Sequence, residues 1–127
     1  ADVNAVLRSQ PRDAVIISIN APQVLAIAQR TTPVRFQYFS ADVERYLDGT
    51  YPGGMRGYIQ GLQRHRPTIV ALGSTFRGLW PYGWLTRDYV RIGTGVGVTW
   101  YVARAAGAAA IDRARLAHSE AMRAYGR

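Results

Sequence analysis

The chain contains no cysteine and no lysine, and these two absences exclude several kinds of chemistry at once. Without cysteine it can form no disulfide, no thiolate nucleophile and no cysteine-based zinc site. Without lysine it has neither a Schiff-base residue nor the lysine of a phosphate-binding P-loop. A protein that lacks cysteine can reside in the cytoplasm or outside it, so the compartment stays open.

Long hydrophobic runs are also absent. No apolar segment reaches the roughly 18 residues that a membrane helix needs, and the start of the chain lacks the pattern of a secretory signal peptide. The length of 127 residues suits one domain. A composition of 48% hydrophobic and 19% charged residues is typical of a globular protein and unlike a disordered one.

Arginine dominates the charge. All 16 basic residues are arginine, and against 8 acidic residues they give a formal net charge of +8. A solvated, arginine-rich surface, an anionic membrane surface and nucleic acid could each account for this charge. The arginines are spread along the chain without a run of three. This spread favours the solvated surface first, membrane proximity second and nucleic acid third, so nucleic acid is the least favoured partner.

Four segments carry strand signals. Residues 14–19 and 68–72 are continuous apolar runs, as expected of strands covered on both faces. Residues 34–39 alternate, which places Val34, Phe36 and Tyr38 on one face and Arg35, Gln37 and Phe39 on the more polar one. Residues 88–104 predict two antiparallel strands, 89–92 and 98–103, joined by a glycine-rich turn over residues 93–97.

Helical patterns lie between these strands. We expect helices over residues 2–9 with Asp2 as N-cap, over 22–29, from a cap at Ser40 to Asp48, over 55–66, and over 105–125, within a C-terminal helical region 105–127. Residues 73–87 are the least regular. The sequence therefore predicts a single α/β domain over residues 1–127. It would hold a mixed, mostly parallel sheet of about five strands, a C-terminal antiparallel hairpin and helices on both faces in a Rossmann-like, three-layer arrangement.

No pattern in the chain is typical of catalysis, a metal site or a cofactor site. The segment Gly93-Thr-Gly-Val-Gly97 has the wrong spacing for a dinucleotide-binding loop and precedes a strand, so a hairpin turn is the better interpretation. Asp42 and Glu44 cannot share a helix face. His65 and His118 stand among arginines, and we expect both to be exposed. We predict no catalytic residue, no metal ligand and no cofactor.

Polar and aromatic residues at the ends of the predicted strands form the best candidate binding surface. Open α/β sheets hold ligands at the carboxyl ends of their strands, and aromatic rings with an arginine can stack on a sugar, a base or a lipid headgroup. An alternative is that the aromatic residues cover the sheet edge or contact another part of a larger protein. The candidate ligand-binding residues are Asn20, Ser40, Ser74, Thr75, Arg77, Trp80, Tyr82 and Trp84.

Five segments within residues 11–104 carry a family resemblance. The five segments are Pro11-Arg-Asp-Ala-Val-Ile-Ile, Pro33-Val-Arg-Phe-Gln-Tyr-Phe, Arg66-Pro-Thr-Ile-Val-Ala, Asp88-Tyr-Val-Arg-Ile-Gly and Trp100-Tyr-Val-Ala-Arg. Together they resemble the soluble C-terminal extracytoplasmic domain of actinobacterial polytopic membrane glycosyltransferases, which use lipid-linked sugars such as dolichyl-phosphate mannose or arabinose lipids. The alanine-rich segment after Arg104 is not part of that pattern.

The resemblance implies a non-catalytic accessory domain on the extracytoplasmic face of the membrane. The catalytic carboxylates of that family lie in loops between membrane helices, so none is carried over to this chain. Its partners would be the membrane-embedded remainder of its own protein and a glycan or lipid-linked substrate. The chain would then be a fragment of a larger membrane protein, which a first residue other than methionine permits.

Two other hypotheses remain. The chain could be a free-standing sugar- or nucleotide-binding α/β module or small enzyme, and it would then be cytoplasmic. It could also bind nucleic acid through its positive charge, which is the least favoured of the three.

Overall fold

The computed structural model of this protein describes residues 4–25 and 34–125, and these form a mixed α/β fold around one five-stranded sheet. The strands are β1 (Ile16–Ile19), β2 (Val34–Gln37), β3 (Ile69–Gly73), β4 (Tyr89–Gly95) and β5 (Val98–Ala103). The α-helices are α1 (Ala5–Arg8), α2 (Ala41–Thr50), α3 (Gly54–Arg64), α4 (Trp80–Asp88) and α5 (Ala108–Tyr125). Short 3₁₀ turns occupy Pro22–Leu25 and Arg104–Ala106.

The sheet is mixed, with strand order β2-β1-β3-β5-β4. Strand β1 pairs in parallel with β2 and with β3. Strand β5 pairs antiparallel with β3 on one side and with β4 on the other. The five strands and the C-terminal hairpin are as expected from the sequence. Half of the four pairings are antiparallel, so the sheet is less parallel than expected, because β5 lies between β3 and β4.

Two hydrophobic cores lie on opposite faces of this sheet. Because side chains alternate along a strand, Ile16 packs into the core that includes Leu7 and Trp100, and Ile17 packs into the core that includes Leu85 and Tyr101. Helix α1 contributes to the first core with α5, and helices α3 and α4 contribute to the second. All four residues of β1 are buried, which confirms the expectation of a strand covered on both faces.

The largest difference from the expected elements is helix α4, which occupies Trp80–Asp88 in the segment expected to be irregular. Pro81 lies in the first turn, where a missing N–H is tolerated. Trp84 and Leu85 are buried against the sheet. Burial of these two side chains stabilises a helix whose local sequence, with Pro81 and Gly83, does not indicate one.

Strand β2 also differs from its expected pattern. It ends at Gln37, so the alternation expected through residue 39 stops two residues early. As a result Phe39 is buried and Tyr38 is exposed, the reverse of the expectation.

The ends of the fold follow the expected helices only in part. Helix α1 is four residues long, and the proposed N-cap Asp2 lies outside the described residues. The same holds for residues 26–29 of the second expected helix, whose beginning is a 3₁₀ turn. The C-terminal helix begins at Ala108 rather than at residue 105, after Gly107 with φ 95°. Residues 126 and 127 of the expected C-terminal region are also outside the description.

A candidate ligand-binding cleft at the carboxyl ends of the strands

Asn20, which directly follows β1, forms hydrogen bonds to the segment that follows β2. Its Nδ2 donates to the carbonyl oxygen of Phe39 at 2.9 Å, and its Oδ1 accepts from the N–H of Phe39 at 2.6 Å. Its own N–H donates to the carbonyl of Gln37 at 2.8 Å. Asn20 is only 5% exposed, so it holds two strand ends together from beneath the surface and does not face solvent.

Ser40 directs the chain into helix α2. Its Oγ accepts from the N–H of Val43 at 3.2 Å, which is the capping bond expected from the sequence. The preceding residue, Phe39, points into the core, so Tyr38 is left 58% exposed at the mouth of the strand ends. The Ser40 hydroxyl therefore has a structural role. The ring of Tyr38, two residues earlier, is exposed and accessible to a ligand.

The chain that leaves β2, from Tyr38 to Ser40, forms one wall of a depression at this edge of the sheet, and the chain that leaves β3 forms the other. The N–H of Ser74 donates to the carbonyl of Gly97 at 2.8 Å, which ties this exit to the β4–β5 turn. The Nη1 of Arg77 donates to the carbonyl of Ser74 at 3.2 Å. Thr75 and Arg77 are exposed. These bonds fix the backbone of a short loop and leave its hydroxyl and guanidinium groups at the surface.

These two walls enclose a cleft of about 380 Å³, which we call the carboxyl-end cleft. A volume of this size lies within the range of small-molecule sites. The cleft is lined by Tyr38, Phe39, Ser40, Ala41, Glu44, Thr75, Phe76, Arg77 and Gly78. The structure thus brings together Ser40, Thr75 and Arg77 of the sequence-predicted residues. It adds Tyr38 and Glu44, which the sequence did not indicate.

An aromatic cluster supports the cleft from below, with Phe39 at its centre. The Phe39 ring makes edge-to-face contacts with Trp80, Phe76 and Tyr58 at centroid distances of 5.6, 6.0 and 6.0 Å. Pairs of this kind stabilise by about 0.5–1.5 kcal/mol beyond the area they bury. Trp80, one of the predicted binding residues, is half-buried in this cluster and does not line the cleft. It acts as support for the wall.

Tyr58 connects this cluster to strand β2. Its hydroxyl bonds with Oε1 of Gln37 at the end of the strand. Burial raises the pKa of Tyr58, and the nearby Tyr51 raises it further. The phenol therefore remains a neutral donor at physiological pH.

The remaining predicted residues lie elsewhere. Tyr82 is exposed on helix α4 and does not line the cleft. Trp84 is buried, stacks edge-to-face on Tyr89 at 5.0 Å, and faces a cavity at the opposite end of the strands. The sequence grouped these aromatic residues because they are close along the chain. Helix α4 separates them in space, because successive residues of a helix point in different directions from its axis.

The glycine-rich segment is a hairpin turn, as expected. Strand β4 extends to Gly95, so the turn is reduced to Val96 and Gly97, with φ 55° and 78°. Nε2 of Gln23 donates to the carbonyl of Val96 at 3.1 Å and anchors the turn. Of the two histidines, His65 is exposed as expected and His118 is half-buried, which corrects that expectation.

The lining of the cleft contains few groups that could transfer a proton or bind a metal ion. Glu44 is its only carboxylate among the lining residues named above. Within residues 4–25 and 34–125, no three histidine, cysteine, aspartate or glutamate side chains come close enough to hold a metal ion. Within those same residues, no helix has the length and apolar character needed to cross a membrane.

Comparison with known proteins adds no relative from which a role could be transferred. No family model, no curated protein and no solved structure matches this chain.

Proposed function

We propose that this chain is a non-catalytic accessory domain of a larger membrane glycosyltransferase-like protein, and that its carboxyl-end cleft contacts a glycan. The observation that carries the proposal is the composition of the cleft. The exposed Tyr38, with its phenol ring, lines the same cleft as Thr75, Arg77 and Glu44. A sugar presents an apolar face that stacks on aromatic rings and hydroxyls that both donate and accept hydrogen bonds.

The same residues favour binding over reaction. Glycoside hydrolysis in most families uses two carboxyl groups that flank the scissile bond, and Glu44 alone is present in the lining. A nucleophilic serine needs an adjacent base, whereas Ser40 accepts the capping bond of helix α2. These groups suit recognition of a hydroxyl-rich surface.

The membrane-bound parent is supported by the five resembling segments and by the charge. A net charge of +8 suits a domain held beside an anionic membrane surface. We place the domain on the extracytoplasmic face, with the membrane-embedded remainder of its own protein as its main partner. The parallel β2-β1-β3 group, with helices on both faces of the sheet, supports the further proposal of a Rossmann-like relationship.

Isothermal titration with mannose- and arabinose-containing oligosaccharides tests the binding role. The wild-type chain should bind at least one of them. Tyr38→Ala and Arg77→Ala should each weaken binding roughly tenfold, because each removes about 1–2 kcal/mol of contact. Tyr46→Ala is the matched control, since Tyr46 is 68% exposed on helix α2 and does not line the cleft. Absence of binding, or an equal loss in the control, would contradict the proposal.

The genomic reading frame tests the proposed parent protein. If the domain belongs to a membrane glycosyltransferase, segments of about 20 apolar residues should be encoded upstream of Ala1. A start codon directly before Ala1 would instead favour the second candidate, a free-standing sugar- or nucleotide-binding module. The carboxyl-end cleft supports that second candidate equally, because a cleft at strand ends is a common ligand site in open α/β sheets.

A further inference from the structure

Two adjoining cavities lie at the other end of the sheet, where β1 and β3 begin. They measure about 300 and 440 Å³ and share Arg66, Ala103 and Ala105. Strand β5 ends here, since the N–H of Ala103 donates to the carbonyl of Thr68 at 2.8 Å. We call the joined cavities the amino-end trough. It is separated from the carboxyl-end cleft by the length of the strands.

The open space of the trough follows from the small side chains that line it. Ala103, Ala105, Ala106 and Ala110 line the trough, and none of them reaches beyond Cβ. In the smaller of the two cavities, the hydroxyl of Tyr89 donates to the carbonyl of Pro67 at 2.5 Å in a buried bond. The trough is therefore open above its alanines, and longer side chains, those of Arg66, Arg87 and Arg113 among them, complete its lining.

Positive charge exceeds negative charge around the trough. Its lining includes Arg66, Arg87 and Arg113 against Asp13 and Asp88. Asp88 is already paired with Arg87 at 3.1 Å, and that hydrogen bond lowers the pKa of Asp88.

Two further arginines stand close by. Arg64 lines a neighbouring depression that also includes Arg66, and Arg104 lies near enough to Asp88 to lower its pKa further. Arg66 itself forms no ion pair with any residue in the described ranges. Its guanidinium therefore remains available to an incoming anion.

The backbone of Arg66 adopts a conformation that glycine would adopt more easily. Arg66 follows the C-cap of helix α3 with φ 47°, in the left-handed region. Helices commonly end on glycine at this position, because a Cβ makes the left-handed backbone less favourable. The sequence instead carries a long cationic side chain here, and this residue lines both cavities of the trough.

A second local irregularity lies at the same trough. Gln10 lines it, is 5% exposed, and donates from Nε2 to the carbonyl of Ala110 at 2.8 Å. That bond fixes the orientation of the amide, and its Oε1 is left without a partner among the described residues. A buried acceptor without a partner is unfavourable, and because an amide oxygen cannot donate to a phosphate oxygen, Gln10 itself makes no contact with an anion in the trough.

We propose that the amino-end trough binds a phosphate-bearing ligand, with Arg66 as its central contact and Arg113 as a second. The planar guanidinium group matches the geometry of phosphate oxygens and donates paired, charge-assisted hydrogen bonds to them. The ligand is either a soluble phosphate or the headgroup of an anionic lipid, because both present the same oxygens. This site is independent of glycan binding at the carboxyl-end cleft.

Chemical-shift mapping with inorganic pyrophosphate tests the site directly. Addition of pyrophosphate at low salt to the ¹⁵N-labelled chain should shift the amides of Arg66, Ala103 and Ala105, and leave those of Thr75 and Arg77 in place. Arg66→Gly should weaken binding roughly tenfold or more. It should not lower the melting temperature, because glycine relieves the left-handed backbone.

Arg56→Ala is the matched control, because Arg56 is an exposed arginine near the start of the same helix, about 15 Å from Arg66 by helix rise. It removes the same charge and should retain nearly full affinity. An equal loss of affinity in Arg56→Ala and Arg66→Gly would show diffuse attraction to the whole surface, and this outcome would overturn the proposal.

Co-sedimentation with vesicles distinguishes the two sources of phosphate. Phosphatidylglycerol vesicles should retain the wild-type chain and release Arg66→Gly if the ligand is a lipid headgroup, while phosphatidylcholine vesicles should retain neither. Binding of pyrophosphate without binding to vesicles would identify a soluble phosphate. Failure of the wild-type chain to bind either probe at low salt would disprove the site, whatever the outcome for oligosaccharides.

Discussion

Asn20 and Phe39 exchange two hydrogen bonds, side chain to backbone in both directions, at the point where β1 and β2 end. Nδ2 donates at 2.9 Å and Oδ1 accepts at 2.6 Å. Neither of the two residues belongs to a strand, so this pair continues the parallel pairing of β1 and β2 beyond the ladder. It also fixes Phe39 in the core and leaves Tyr38 outside, which determines one wall of the carboxyl-end cleft.

Replacing Asn20 should destabilise the protein strongly. Asn20→Ala removes both bonds, leaves the buried N–H and C=O of Phe39 without partners, and keeps a residue with Cβ at φ 54°. We expect a loss of about 2–4 kcal/mol in the free energy of unfolding, measured by urea titration. Asn20→Gly loses the same bonds but relieves the backbone, so it should be the milder variant by about 1 kcal/mol. Equal losses would show that backbone strain plays no part.

Gly73 should tolerate no side chain. A Cβ at this position would collide with the backbone carbonyl of Asn20. Gly73→Ala should therefore cost roughly 2–3 kcal/mol of stability, because the backbone of a buried strand end cannot move aside easily. Gly49→Ala is the matched control, because Gly49 lies in helix α2 with open space around it. The control should gain up to about 1 kcal/mol in helix propensity.

His118 should make stability depend on pH in the mildly acidic range. Burial lowers the pKa of His118 below its usual 6.5, and Arg91 lowers it further. The unfolded chain therefore takes up a proton at a higher pH than the folded chain does. The free energy of unfolding should fall as the pH drops through about 6.5, and it should level off below the folded-state pKa.

The variant His118→Gln isolates this effect. Melting temperatures measured between about pH 7.5 and pH 5 should fall less for the variant than for the wild-type chain. His65→Gln is the control, since His65 is exposed, and it should follow the wild-type curve. A wild-type melting temperature that rises as the pH falls would contradict the assigned direction.

Tyr89 should produce a loss of stability at alkaline pH. Its hydroxyl bonds to the carbonyl of Pro67 in the core, and burial, followed by the charge of Asp88, raises its pKa well above the usual 10.0. Above pH 10 the unfolded chain releases this proton before the folded chain does, so stability falls as the pH rises. Urea titrations should show a smaller alkaline loss in Tyr89→Phe than in Tyr46→Phe, whose side chain is exposed.

The strands were predictable because their signals are local. The apolar runs of β1 and β3 and the hairpin of β4 and β5 each follow from residue type and spacing. The hairpin could be predicted as antiparallel because its turn is short. The insertion of β5 between β3 and β4 could not, because pairing order depends on contacts between segments far apart in the chain.

Helix α4 shows where local signals fail. Pro81 and Gly83 lower the helical propensity of the segment, and the burial of Trp84 and Leu85 against the sheet outweighs that loss.

The residues that line the carboxyl-end cleft could be predicted only in part. Thr75 and Arg77 followed from the rule that ligands bind at the carboxyl ends of strands. Tyr38 could not be placed because strand β2 ends two residues before the alternating pattern does.

The central claim is that the carboxyl-end cleft recognises a carbohydrate, and a heteronuclear NMR titration with a mannose oligosaccharide, repeated with an arabinose one, tests it most directly. We predict saturable shifts at the amides of Ser40, Thr75 and Arg77 with at least one of the two sugars, and unchanged amides around Arg66. Spectra that do not change with either sugar, or shifts confined to the amino-end trough, would contradict the claim.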